Sequence, residues 1–306
     1  MIKIDSSLMI KNKESFYKTV SPAFLNILRS IKPGMLKGYD KLLSYFDDGN
    51  GGIDETKVKR LILGDKTTLD DAIKKIGVIK NSVINKGKLP NIASAYSSFT
   101  KTDFSREWPQ IIGVESCPYC NRTYIYTLSK DNVRPDYDHY FPKSKYPYLC
   151  VSMFNLVPSC KQCNQLKSSQ YRDIIYPYDE EFGNDGFFEI DIAKIKDITS
   201  LINPSSKFEI KLNVVQGTKL EKKIKYSDKM FRLEKLYSKH TDYVKDLIKL
   251  SRIYKPEFIK SLESTFKWFN GDLKDILYLT KFNSNEFHKR TLSKFTSDII
   301  KQLEGK

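Results

Sequence analysis

Histidine and tryptophan are scarce in this 306-residue chain, with three of the first and two of the second, and there are only five cysteines. Glycine and proline, 14 and 12 in number, are too few for a collagen-like or low-complexity chain, and no internal repeat is present. No apolar run approaches the ~20 residues that a membrane helix needs. The opening MIKIDSSLMIKNKES lacks the apolar stretch of an export signal. The expectation is a soluble, cytoplasmic protein with no membrane partner. Acidic residues are also short, 37 against 52 Lys+Arg, for a net charge of +15. A surplus of this sign favours a polyanionic partner, because each phosphate neutralised releases condensed counterions. It is spread along the chain, so charge alone is weak evidence for nucleic acid. What is present is a 40% apolar fraction, 13% of the chain being aromatic. At this length roughly three quarters of the surface can be buried, so a conventional core is available.

The residue pattern predicts an α+β protein in four stretches. A helical N-terminal region spans 1–110, a compact cysteine-containing centre 111–175, a small β-rich insertion 176–226 and a helical C-terminal region 227–306. Leu8, Phe16, Val20, Phe24, Leu25 and Leu28 predict a helix over 7–31 that Pro22 breaks or restarts. A loop over 47–52 precedes a helix after Asp54, and Thr67 and Thr68, with Asp70 and Asp71 three residues on, predict capping-box starts. The run 123–128 is strand-like. Residues 187–192 and 208–215 alternate as strands, and Gln216-Gly217 reads as a hairpin turn into a further strand over 218–226. Leu233, Leu236, Tyr237, His240, Tyr243, Val244, Leu247 and Ile248 form one apolar helical stripe, which makes His240 a core histidine. Helices are expected to begin near Pro256 and Asn283, leaving His288 in solvent.

Cys117-Pro118-Tyr119-Cys120 and Cys160-Lys161-Gln162-Cys163 are two C-x-x-C pairs. Each such turn can aim two sulfurs at one ion, and four thiolates suit tetrahedral Zn²⁺. Disulfides need an oxidising compartment, which the missing export signal argues against. A thioredoxin-like redox motif accounts for one pair and leaves the other idle. Structural zinc is the expectation. Cys150, in the apolar run 148–151, reads as a small buried hydrophobe.

Between and just after these pairs stand Asp138-His139, Asn155 and Asn164-Gln165-Leu166-Lys167. Asp138 offers an anionic oxygen and Asn164 a neutral amide oxygen, a pair suited to Mg²⁺ or Mn²⁺ with open positions for phosphate. His139 has an ordinary pKa near neutrality, so it can take a proton from water. A base beside a hard cation is a minimal phosphodiesterase.

Asp138-His139, Asn155 and Cys163-Asn164, framed by the C-x-x-C pairs, resemble the HNH (ββα-metal) endonuclease family. The closest flavour is its zinc-knuckle branch of McrA-like and endonuclease VII-like nucleases. The string from Tyr140 to Lys167 is also similar to HNH subunits of Septu-type antiphage systems. The resemblance covers residues 112–172. It implies a zinc-stabilised ββα-metal core, with His139 as general base, Asn155 holding the loop in shape, and Asp138 and Asn164 holding Mg²⁺ or Mn²⁺. It further implies hydrolysis of DNA to 5′-phosphate and 3′-hydroxyl ends, in antiphage defence alongside an ATPase partner subunit. Neighbours on a regular strand face opposite sides, so Asp138 and His139 share a phosphate only if the strand ends or bulges there. Arg122, Arg134, Lys143, Lys145, Lys161 and Lys167 are expected along the nucleic-acid backbone, with Tyr140, Tyr146 and Tyr148 stacking between them. The Lys-rich stretch 219–235 is a second candidate for backbone contact. Two other readings remain: an RNA-cleaving (tRNA) effector with the same chemistry, and a non-catalytic zinc-stabilised nucleic-acid-binding subunit.

Overall fold

The computed structural model describes residues 1–35, 38–79, 90–128, 133–192, 201–203, 206–268 and 271–305. The chain is α+β with two small antiparallel sheets, and it divides into two compact units. One comprises Asp5–Val114 and Ile125–Tyr171 and is called the N-terminal unit. The other comprises Met1–Ile4, Glu115–Tyr124 and Arg172–Lys306 and is called the C-terminal unit. The four sequence regions divide the chain along its length; these two units divide it in space. Among the described residues no helix is long and apolar enough to cross a membrane.

The N-terminal unit opens with α1 (Ser7–Lys11) and α2 (Lys13–Ser30). Pro22 lies inside α2 and does not break it. The stripe of Phe16, Val20, Phe24, Leu25 and Leu28 is buried along the helix, and that packing outweighs the ~3 kcal/mol an interior proline costs. Next come α3 (Tyr39–Phe46), α4 (Glu55–Leu63) and α5 (Lys66–Ile76). Asp54 caps α4 as its sequence indicates, accepting from the Thr56 and Lys57 amides. Helix α5 starts earlier than the threonines suggest. Asp65 is its cap, accepting from Thr68 N at 3.0 Å, because a carboxylate one turn upstream satisfies the same orphan amide. Helices α6 (Ser94–Phe99) and α7 (Asp103–Ile111) follow, and Phe16 packs on Phe99 and Trp108 at ring-centroid distances of 5.6 and 4.9 Å.

The remainder of this unit is a small β–β–α arrangement. Strand β1 (Asp136–His139) pairs antiparallel with β2 (Leu156–Ser159), and α8 (Lys161–Lys167) packs back on β1. The register sets Asp136 opposite Ser159, Asp138 opposite Val157 and His139 opposite Leu156. One face therefore carries Asp136, Asp138 and Ser159, and the other carries Tyr137 and His139. There is no bulge.

In the C-terminal unit β3 (Gly186–Ile190) pairs antiparallel with β4 (Ile210–Val214), burying Phe188, Ile190, Ile210 and Leu212. The chain beyond Gly217 is a helix, α9 (Glu221–Phe231), not the expected third strand. Ile224, Ser227, Met230 and Phe231 are buried on it, a helical spacing that the lysines between them disguise. The single stripe expected from 233 to 248 is two helices, α10 (Leu233–Tyr237) and α11 (Thr241–Ile253), with half-buried His240 in the break and not in the core. Helices α12 (Pro256–Thr265), α13 (Leu273–Leu277) and α14 (Ser293–Leu303) follow, with a 3₁₀ turn over Ser284–Lys289. His288 on that turn is half-buried, not solvated, because the segment is tied down by the Ser116 amide bonding its carbonyl. Helix α14 lies along β3: Asp298 accepts from Phe188 N, and Gln302 bonds both N and O of Ile190. The strand-like run 123–128 contains only isolated bridges at Tyr124 and Leu128, since no neighbouring strand continues the pairing.

Candidate functional site

Cys117, Cys120, Cys160 and Cys163 are buried, with ligand atoms all within 4.8 Å of one another. Tetrahedral zinc with bonds of ~2.3 Å holds its sulfurs a little under 4 Å apart, so this group can hold a metal such as zinc. Each C-x-x-C turn also aims an amide at a sulfur, Arg122 N at Cys120 Sγ and Cys163 N at Cys160 Sγ. Amides so placed stabilise thiolate charge. Cys150 is buried outside the group, its thiol pushed up to about 12 by burial and its Sγ 3.4 Å from the Ile92 carbonyl.

His139 ends β1 and is 7% exposed. Its Nε2 donates to the Cys150 carbonyl at 2.9 Å, and its ring meets Tyr96 edge-on at 4.5 Å. A carbonyl only accepts, so Nε2 carries the proton of the neutral ring and Nδ1 carries the lone pair. Burial, then the charge of Lys143, push its pKa down to about 3. The ring is thus neutral throughout the neutral pH range, and its ordinary titration near neutrality is lost. Lys143 in turn lies over the Tyr96 ring at 4.2 Å.

Asp138, the neighbour of His139, faces the other way. Its two oxygens each lie 3.0 Å from the ammonium of Lys167, whose Nζ also donates to the His139 carbonyl at 2.6 Å. Asp138 and Lys167 are 2% and 1% exposed. Asn164, one turn before Lys167 on α8, donates its Nδ2 to Asp136 at 3.1 Å. The amide nitrogen being occupied there, Oδ1 is the atom left to ligate a cation. The expected partners Asp138 and Asn164 therefore have separate protein contacts, related in that Asn164 bonds Asp136, which shares a strand face with Asp138. Ser159 Oγ is fully buried and has no hydrogen-bond partner among the described residues. Asp136 and Asp138 thus share a strand face with this Ser159 hydroxyl, and the Lys167 ammonium closes on Asp138 alone of these three.

Asn155 is fully buried just before β2. Its Oδ1 accepts from Phe141 N at 2.7 Å, and its Nδ2 donates to Phe141 O and Leu149 O. It ties the turn that leaves β1.

The expected backbone contacts divide. Lys145 and Lys161 are exposed. Arg134 is half-buried over the Tyr137 ring, and Arg122 is half-buried with its Nε on His240 Nε2 at 3.2 Å. Lys167 is a correction: the fold of α8 onto β1 buries it against Asp138. Tyr140, Tyr146 and Tyr148 are also corrections, being buried core rings where stacking surfaces were expected, with Tyr148 OH on the Gly77 carbonyl. In the stretch 219–235, Lys223 pairs with Glu180 and Lys225 with Glu221. Sequence reasoning missed Asp136, Ser159 and Tyr96. The i, i+2 spacing of Asp136 and Asp138 was a readable signal that both carboxylates share a face; nothing local pointed to Tyr96. Comparison with protein-family models, with curated proteins and with solved structures gives no match.

Proposed function

We propose that the N-terminal unit is a metal-dependent phosphodiesterase of the HNH kind that cuts DNA, and that the four cysteines hold structural zinc. The observation that carries the reading is His139: its Nε2 is fixed on the Cys150 carbonyl and its Nδ1 keeps the lone pair, one residue along β1 from the Asp138 carboxylate. Asp138 and Asn164 would hold Mg²⁺ or Mn²⁺, with Asp136 orienting the Asn164 amide. Bound there, the ion would polarise a phosphoryl oxygen. His139 Nδ1 takes the proton of the attacking water. Burial penalises the imidazolium that forms, and the anionic phosphodiester offsets that penalty. Asp138 and His139 point to opposite faces, so a phosphate reaches both by lying across the end of β1, where the strand stops and Asn155 fixes the turn.

DNA as the target, antiphage defence and an ATPase partner are carried by the motif resemblance; the positive charge supports a polyanion in general, and RNA suits the same chemistry. Replacing His139 with Ala should lower cleavage of plasmid DNA or RNA in Mg²⁺ or Mn²⁺ by ~10²–10⁴-fold at equal folded protein. Undiminished cutting removes the mechanism. One observation favours the non-catalytic reading: Lys167 already neutralises Asp138. That reading predicts nucleic-acid binding unaffected by Asp138→Asn and no turnover with any metal.

A further inference from the structure

We infer that Lys167 is a tethered cation that competes with a divalent metal for the carboxylate of Asp138, and so sets the metal concentration at which the site fills. The inference rests on the proposed placement of that metal at Asp138 and Asn164. Lys167 Nζ bonds Asp138 symmetrically, 3.0 Å from each oxygen, which is where an ion bound to both oxygens of that carboxylate would sit. The pair is almost wholly removed from water, so neither charge is compensated by solvent and the carboxylate always needs a cation. Beside the pair on this face lie the apolar Val157, opposite Asp138, and two oxygen-bearing residues: Asp136 holds Asn164, and Ser159 Oγ is buried without a partner among the described residues. A lone lysine satisfies Asp138 but not that hydroxyl. A metal would engage Asp138 only after the ammonium withdraws, and the second bond of Nζ, to the His139 carbonyl at 2.6 Å, keeps it within reach for return.

This competition is read by metal binding, with the full chain loaded with zinc and Mn²⁺ as the probe. Free Mn²⁺ is followed by electron paramagnetic resonance in the unaltered protein, Lys167→Gln, Lys167→Arg and the double variant Lys167→Gln/Asp138→Asn. Removing the ammonium charge should tighten Mn²⁺ binding at least about tenfold, since the ion no longer displaces a buried counter-charge. Lys167→Arg, which keeps the charge, should not tighten it, and the double variant should lose the gain. Lys167→Met, which also removes the hydrogen bonds, should melt earlier without Mn²⁺ and regain its melting temperature with it. Where that variant does not fold, Lys167→Gln decides. Mn²⁺ affinity no tighter in Lys167→Gln than in the unaltered protein, or a gain that survives loss of Asp138, overturns the inference. Neither outcome uses cleavage, so it is separable from the nuclease reading, which is tested by cleavage in the unaltered protein and in His139→Ala.

Discussion

Lys294 and Asp298 stand one turn apart on α14, meeting at 2.5 Å with side chains 6% and 4% exposed. Lys167 and Asp138 meet at 3.0 Å from a helix and a strand, with side chains 1% and 2% exposed. Both are buried lysine–aspartate pairs, one in each unit, yet their surroundings differ. Asp298 serves the fold, since its Oδ2 accepts from Phe188 N and fastens α14 to β3. Burial pushes Asp298 up and Lys294 down, so the pair is held by mutual attraction against desolvation. Around Asp138 lie a second carboxylate, an amide oxygen, an orphaned hydroxyl and, across the strand, an imidazole. Burying an ion pair is therefore not by itself a functional signal. What sets the proposed metal site apart is the set of donors left over beside its pair.

The largest effect expected is common to both pairs. Cys160 caps α8, which carries Lys167. Asn121, next to Cys120, accepts from Lys294 N with its Oδ1 and from Leu292 N with its backbone oxygen, at the start of α14. Structural zinc binding is worth ~10–16 kcal/mol in small domains. Complete zinc removal should thus collapse the far-ultraviolet circular dichroism of the chain, and a helical signal intact without zinc would contradict the cysteine assignment. The next effect separates the pairs. Lys294→Met leaves Asp298 buried and uncompensated, a loss of about 3–5 kcal/mol in urea unfolding that Mn²⁺ should not restore. Equal rescue of Lys294→Met and Lys167→Met by Mn²⁺ would erase the distinction drawn between them.

How much of the fold and the site is legible in the sequence follows from how local each signal is. The four cysteines are read from spacing alone, because each C-x-x-C turn places its own two sulfurs. Asp54 announces α4 through a capping bond two and three residues long. The β3–β4 ladder is visible as alternation, but the turn at Gln216-Gly217 leads into a helix and not into a third strand. The run 218–226 alternates lysines with apolar residues much as a strand does, and only burial of Ile224, Ser227 and Met230 shows the helical period. Lys167 is illegible for a non-local reason. In Asn164-Gln165-Leu166-Lys167 it reads as a surface cation, and it is buried because α8 folds back over a carboxylate that lies far upstream in the chain. His139 stands out by type and neighbours, but its depressed pKa comes first from burial and then from the charge of Lys143, and burial is set by packing that the adjacent residues do not specify.

Acid should sharpen the contrast, since only the Asp138 pair has a buried imidazole across its strand. His139 has a folded-state pKa of about 3 against ~6.5 unfolded. The unfolded chain binds the extra proton, so stability falls as pH drops from ~6.5 towards 3 and is unaffected above that window. The loss approaches about 5 kcal/mol at the acid end. His139→Gln should flatten this part of the stability curve. Thiolate protonation occurs in both proteins and cancels from the difference between them, so an unchanged slope would mean that the ring is not held neutral. The smallest effect concerns the exposed cations. Lys145→Ala and Lys161→Ala should each weaken nucleic-acid binding about equally for all sequences and lower the salt slope by ~1 if each meets one phosphate. Lys167→Arg should leave that slope unchanged, because a charge sealed against Asp138 releases no counterion from the polyanion. A salt slope that responds to Lys167 and not to Lys145 or Lys161 would mean that the buried ammonium opens onto the substrate, and that the two lysine–aspartate pairs differ in exposure on binding as well as in chemistry.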